Sequence, residues 1–176
     1  MPQSDQGPTK NTDRYTAIPR VLVFVYHGED LLLIEGAPDK RLWANRYNGL
    51  GGHVEAGEGV AHAARREVWE EAGIEVCDLR LRGVVHIGLD AAAGAPRPGI
   101  LIFVFRARSE SRETRPSPEG ALYWLSPAAV AELAARDALV EDVPLLLQRL
   151  AADDERPFTA RYYYDAKDRL QIEFAV

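Results

Sequence analysis

Between Glu55 and Glu71 the chain places five glutamates, Glu55, Glu58, Glu67, Glu70 and Glu71, within 17 residues. The second part of that run has a helical period. Ala61, Ala64, Val68 and Ala72 line up from Gly59 to Ala72, and Gly73 stands where a left-handed residue ends a helix. A helix advances about 100° per residue, so Glu67, Glu70 and Glu71 share an arc of roughly 100° beside the apolar stripe. Like charges at i, i+4 repel, and Arg66, which reaches Glu70 at i+4, is one cation against three anions. Two readings follow: a solvated acidic helix face, or a site completed by a hard divalent cation such as Mg²⁺, which prefers oxygen ligands.

The rest of the chain supplies strands for such a helix to dock on. RVLVFVY and DLLLIEG, separated by His27–Asp30, predict a hairpin, and LWANRYNGLGGHVEAGEG predicts a loop or short strand. LRLRGVVHIGL and GILIFVFRAR are strands joined by AAAGAPRP, and EGALYWLS is another. Ser126-Pro127 is an N-cap and first-turn pair for a helix over Ala128–Arg136, and Pro144–Ala151 predicts a second. FTARYYYDAKDRLQIEF closes as a hairpin turning near Asp165–Asp168. The expectation is an α/β fold with a mixed sheet and helices on its faces. Residues 1–17 read as a flexible tail and 18–176 as a single domain with a C-terminal hairpin extension.

Charge narrows the partners. With 21 basic and 27 acidic residues the net charge is −6, a poor match to nucleic-acid backbone. The apolar runs are too short to span a membrane, the polar start carries no export signal, and the one cysteine allows no internal disulfide. The expectation is a cytoplasmic protein with no nucleic-acid and no membrane partner. Cys77 reads as a buried small residue, His27, His62 and His86 as unpaired structural or surface residues, and Trp43, Trp69 and Trp124 as core or rim aromatics.

Gly52, Glu58, Arg66, Glu67, Glu70, Glu71 and Gly73, with aliphatic Val68 and Ile74, fit G-x5-E-x7-R-E-U-x-E-E-x-G-U, where U is aliphatic. This resembles the Nudix box without a departure: seven fixed and two aliphatic positions over 23 residues. The resemblance implies an α/β/α sandwich over roughly Pro19–Ala151. It also implies hydrolysis of a nucleoside diphosphate linked to another group, by water attack at phosphorus with bound Mg²⁺ or Mn²⁺, on a small-molecule nucleotide. By that analogy Glu67 is a general base or metal ligand oriented by Arg66, Glu70 and Glu71 hold metal with the Gly51 carbonyl, and Glu58 fixes the loop–helix geometry.

Substrate marks are mixed. A proline fifteen residues past the box, as in ADP-ribose members, is missing at Leu89, the nearest being Pro96. Asp90, Ala91 and Ala92 stand where diadenosine-polyphosphate members carry tyrosine. Tyr47-Asn48-Gly49-Leu50-Gly51-Gly52-His53-Val54 instead resembles the W-N-G-F-G-G-K-V stretch of mammalian-type 8-oxo-dGTP hydrolases, relatives of bacterial MutT, in which the Asn reads the purine edge. Tyr47 and His53 replace Trp and Lys. Glu119, five residues before Trp124, matches an acidic loop residue of that group, and Glu141-Asp142 precede a similar P-L-L-L-Q segment. The resemblance thus makes Glu119 a catalytic candidate, and Asn48, Gly52, His53, Glu141 and Asp142 substrate contacts. Bland alternatives stand beside them: a turn residue for Asn48, helix capping for Glu141 or Asp142. Action on a sugar-nucleotide or another diphosphate is the competing function, and a non-catalytic sensor a third.

Overall fold

Strand β1 (Ala17–His27) is apolar at nearly every position from Val21 to Val25, so it must be covered on both faces. Because strand side chains alternate, Val21, Val23 and Val25 enter one core cluster and Leu22 and Phe24 another. The computed structural model describes residues 15–88, 98–152 and 156–175. After β1 come β2 (Asp30–Gly36), β3 (Tyr47–Asn48), α1 (Val60–Ala72), β4 (Cys77–Ile87), β5 (Gly99–Arg108), β6 (Gly120–Leu125), α2 (Pro127–Ala135), α3 (Val143–Ala151), β7 (Phe158–Tyr164) and β8 (Leu170–Ala175).

The eight strands form one mixed sheet in the order β3-β2-β1-β5-β4-β7-β8, with β6 on β2. The pairs β1/β5 and β4/β7 are parallel and the others antiparallel. Helix α1 covers one face through Ala63, Ala64, Val68 and Ala72, and α3 covers the other through Val143, Leu146 and Leu150, with α2's Val130 and Leu133 beside it. The α/β/α sandwich with a mixed sheet is therefore the fold. Both predicted hairpins form: Val25 pairs with Leu32, and Tyr162 with Ile172. Helix α2 begins as expected, Ser126 Oγ accepting from the N–H of Ala129 at 3.3 Å.

Residues 1–14 lie outside the described residues, but the Tyr15 hydroxyl bonds His86 Nε2 at 2.6 Å and the Gly99 N–H bonds the Thr16 carbonyl at 2.9 Å, so the fold is already engaged there. The AAAGAPRP loop and the substrate marks at positions 89–92 and 96 fall on residues 89–97, also outside the described residues. Among the described residues no helix is long and apolar enough to cross a membrane.

Two local expectations are corrected. Ala61 is exposed and Ala63 takes its place in the buried stripe. At about 100° per residue Glu67 and Glu71 then project between Ala63 and Ala64, so the acidic arc is rolled toward the sheet rather than lying beside the buried face. Cys77 is exposed, because it opens β4 beyond the cover of α1 and pairs only with Arg108 at the end of β5.

Candidate active site

The site grows from the place where β2 leaves β1. There the chain around Leu50–Val54, expected as loop or short strand, runs along the first half of β1. The N–H groups of Val21 and Val23 donate to the carbonyls of Gly52 and Leu50 at 2.9 and 2.7 Å, and Val54 donates to the Pro19 carbonyl at 3.1 Å. Extended chain alternates, so Gly51 faces the other way, and its N–H donates to a Glu71 carboxylate oxygen at 3.0 Å. Gly51 has φ 155°, and a Cβ on it would run into the Val21 carbonyl; one on Gly52 would run into the Glu67 carboxylate. Glycine at 51 lets the chain lie close against β1, and glycine at 52 lets the Glu67 carboxylate reach this edge.

Helix α1 is set there by its ends and its small residues. Gly73 closes it with φ 71°, its N–H bonding the Trp69 carbonyl, and the alanines at 63, 64 and 72 allow close approach to the sheet. Arg66 then ties the acidic face together. Its guanidinium donates to both oxygens of Glu58 at 3.0 Å, to Glu67 Oε1 at 2.9 Å, to Glu70 Oε2 at 3.0 Å and to the His53 carbonyl at 2.9 Å. These contacts spread one planar cation over three carboxylates, a fork geometry lysine cannot match. Glu67 is 13% exposed and Glu70 56%, so the cluster runs from the sheet edge out to solvent.

Electrostatics splits these glutamates. The Arg66 hydrogen bonds hold the Glu58 carboxyl well below the usual range, at about 2, and its own bonds from the Glu55 N–H and His62 work in the same direction. Glu71 is pushed up to about 8, first by burial and then by the charges of Glu67 and Glu119, against the Gly51 N–H and Lys40. Glu119, from the turn before β6, thus bears on the same carboxyl and pairs with Lys40.

On the opposite, α3-covered face a pocket of about 160 Å³ opens against the same glycine edge, several times the space a water needs. Asn48, Gly51, Gly52, Glu141 and Asp142 line it, with Tyr162 at the wall. The Asn48 carbonyl oxygen accepts the Gly49 N–H at 2.8 Å, which fixes its amide with the NH₂ as the remaining donor. Asp142 occupies the N-cap position of α3 but makes no capping hydrogen bond with its side chain, and burial pushes its carboxyl up.

The structure therefore gathers Gly51, Gly52, Glu58, Arg66, Glu67, Glu70 and Glu71 at one edge, and Asn48, Glu141 and Asp142 across it. His53 differs from expectation: its exposed side chain does not line the pocket, and what it gives is its carbonyl to Arg66. Sequence reasoning missed Lys40 and Tyr162. Lys40 belongs to a polar turn with no spacing signal, and Tyr162 is one of three consecutive tyrosines of which strand alternation buries the first. The other histidines, expected unpaired, have partners: His62 with Glu58, His27 with the Ser109 carbonyl, His86 with Tyr15. The partners of His27 and His86 are 82 and 71 residues away in sequence, which is why spacing did not reveal them, whereas Glu58 stands only four residues before His62.

Residues 16–148 match the NUDIX domain family. Over 101 residues the chain is 33% identical to the NAD-capped RNA hydrolase NudC of Pseudomonas syringae pv. syringae, covering 57% of this chain and 32% of that protein. It is 34% identical over 99 residues to the oxidized purine nucleoside triphosphate hydrolase of Mus musculus, covering 54% of this chain and 61% of the relative. The match thus spans about a third of the bacterial relative's length. Among solved structures, a MutT protein from Bacillus halodurans has a TM-score of 0.72 at 23% identity, covering 89% of this chain and 97% of that one, which is a likeness of fold.

Proposed function

The chain belongs to the Nudix family, and from that premise we propose that it is a metal-dependent pyrophosphohydrolase of nucleoside triphosphates, oxidised purines such as 8-oxo-dGTP included. The products are the nucleoside monophosphate and pyrophosphate. One observation carries this reading: the carboxylate cluster of α1 and the pocket holding Asn48 and Asp142 share the Gly51–Gly52 edge, so a base in the pocket leaves its phosphates beside the glutamates. The mouse relative's name supports it.

A divalent cation suits this donor set. Glu67, Glu70, Glu71 and the Gly51 carbonyl are all hard oxygen donors, as Mg²⁺ or Mn²⁺ require, and the buried Glu71 carboxyl lacks a cation strong enough to keep its affinity for protons low. Among the described residues no three such side chains already converge as a cage, since Arg66 holds Glu67 and Glu70 and Glu71 turns to Gly51. Bound there, the metal would neutralise phosphate oxygens and activate water. Arg66 orients Glu67 through Oε1, which leaves Oε2 to take the water's proton. Glu58 anchors Arg66, and Glu119 assists from the loop before β6.

The NAD-capped RNA hydrolase relative favours a second reading, cleavage of a dinucleotide pyrophosphate. It also removes support from the charge-based expectation that nucleic acid is excluded. Incubation with nucleoside triphosphates, sugar-nucleotides, NAD and NAD-capped RNA in Mg²⁺, with product analysis, separates the readings. Pyrophosphate released from a triphosphate supports the first; cleavage of NAD or capped RNA alone supports the second; no turnover on any of them overturns both.

A further inference from the structure

Tyr162 stands on β7, beyond the residues matched to the family, and its ring is packed with Val143 and Leu146 in the α3-side core, 2% exposed. Its hydroxyl is fully buried and has no hydrogen-bond partner among the described residues. Buried tyrosine hydroxyls are normally paired, because leaving one unmade costs its full desolvation. The hydroxyl lies beside the Asp142 carboxyl, which strengthens the hydroxyl's hold on its proton while the hydroxyl weakens that of the carboxyl, yet the pair is outside hydrogen-bond geometry. Both residues line the pocket, and across it the Asn48 amide offers its NH₂. What Tyr162 lacks, an occupant of that pocket supplies. A locally unfavourable group at such a place is where function overrides stability.

We infer that Tyr162 is a specificity-determining residue whose hydroxyl donates a hydrogen bond to an acceptor on the edge of the bound base, which makes the C-terminal hairpin part of substrate selection. The inference rests on the reading that this pocket receives the base. Burial opposes loss of the phenolic proton, so the group acts as a donor. With the Asn48 NH₂ it gives the pocket two donors. Guanine offers acceptors at O6 and N7, and 8-oxoguanine, whose N7 is protonated, keeps the O6 acceptor, whereas adenine puts a donor amine at that position. The pocket therefore selects 6-oxopurines over 6-aminopurines.

Tyr162→Phe removes the hydroxyl and keeps the packing. The KM for dGTP and 8-oxo-dGTP is expected to rise about 5- to 150-fold, with kcat and the KM for dATP within about twofold. The ligand-free variant is expected to melt about 2–4 °C higher, since an unpaired buried group is gone. An unchanged KM for the guanine-type substrates, an equal loss on dATP, or a lower Tm would each overturn the inference; the last would mean that the hydroxyl is satisfied within the protein. A wild-type protein that cleaves no nucleoside triphosphate overturns the proposed function, and this inference with it. That failure is distinguishable because the parent, not the variant, is inactive.

Discussion

The acidic face of α1 and the pocket beneath α3 touch at Gly51 and Gly52, yet they are built on opposite principles. On the acidic face the polar groups satisfy one another: Arg66 holds Glu58, Glu67, Glu70 and the His53 carbonyl, and Glu71 holds the Gly51 N–H. Its members come from one continuous segment, so one helix and one loop fix their geometry. In the pocket the polar groups come from β3, the turn before α3, and β7, and they are left under-satisfied: the Asp142 side chain makes no capping hydrogen bond, and the Tyr162 hydroxyl has no hydrogen-bond partner among the described residues. The first arrangement suits the proposed chemistry, which is the same for every substrate. The second holds unspent hydrogen-bonding capacity, which is what discrimination between substrates requires. The difference teaches that satisfaction and specificity are distributed unequally across a single site.

The largest effect should come from the acidic face. Glu67→Gln keeps the shape and the Arg66 contact but removes the proposed base, and loss of general-base catalysis alone is worth about 10²–10⁴ in rate. A fall in kcat of at least that size with an unchanged far-UV spectrum is expected in steady-state assays. Near-normal turnover would mean that Glu67 is only a surface helix glutamate, and the contrast between the two regions would collapse.

A smaller effect, of a different kind, is expected across the glycine edge. Asn48→Ala removes the NH₂ donor and also the acceptor for Gly49, and one lost partner in a buried polar contact costs about 1–3 kcal/mol. KM for the preferred purine triphosphate should rise about 5- to 150-fold, with kcat mostly kept. A variant that loses kcat and keeps KM would place Asn48 with the chemistry instead.

The smallest effect concerns stability and pH. Burial raises the Asp142 carboxyl above its ordinary 3.8 in the folded protein. Above pH 3.8 the unfolded chain gives up this proton while the folded one retains it, so stability falls as pH rises through the interval up to the folded value and is level beyond it. Asp142→Asn lacks that penalty. Its stability relative to the parent, from urea melts without nucleotide, should improve between pH 4 and pH 8. A relative loss over the same interval would show that the carboxylate is stabilised in the fold, and the pocket would then resemble the acidic face.

The same division runs through what was legible. The sequence by itself determined α1, its glycine stop, the hairpins and the strand alternation, because each depends on residues within a few turns or pairs of one another. It also determined that Arg66 and the glutamates lie on one face, since helical period alone places them there. Only the tertiary structure decided how far that face is rolled inward, because the exchange of Ala61 for Ala63 depends on where the sheet meets the helix. Only it brought Lys40 and Glu119 to bear on Glu71, and Tyr162 to Asp142, which stand 20 positions apart in sequence with α3 between them. The physical reason is range: backbone periodicity extends along a segment, whereas desolvation and charge depend on which distant segments close over a group, and that is settled only when the sheet has formed.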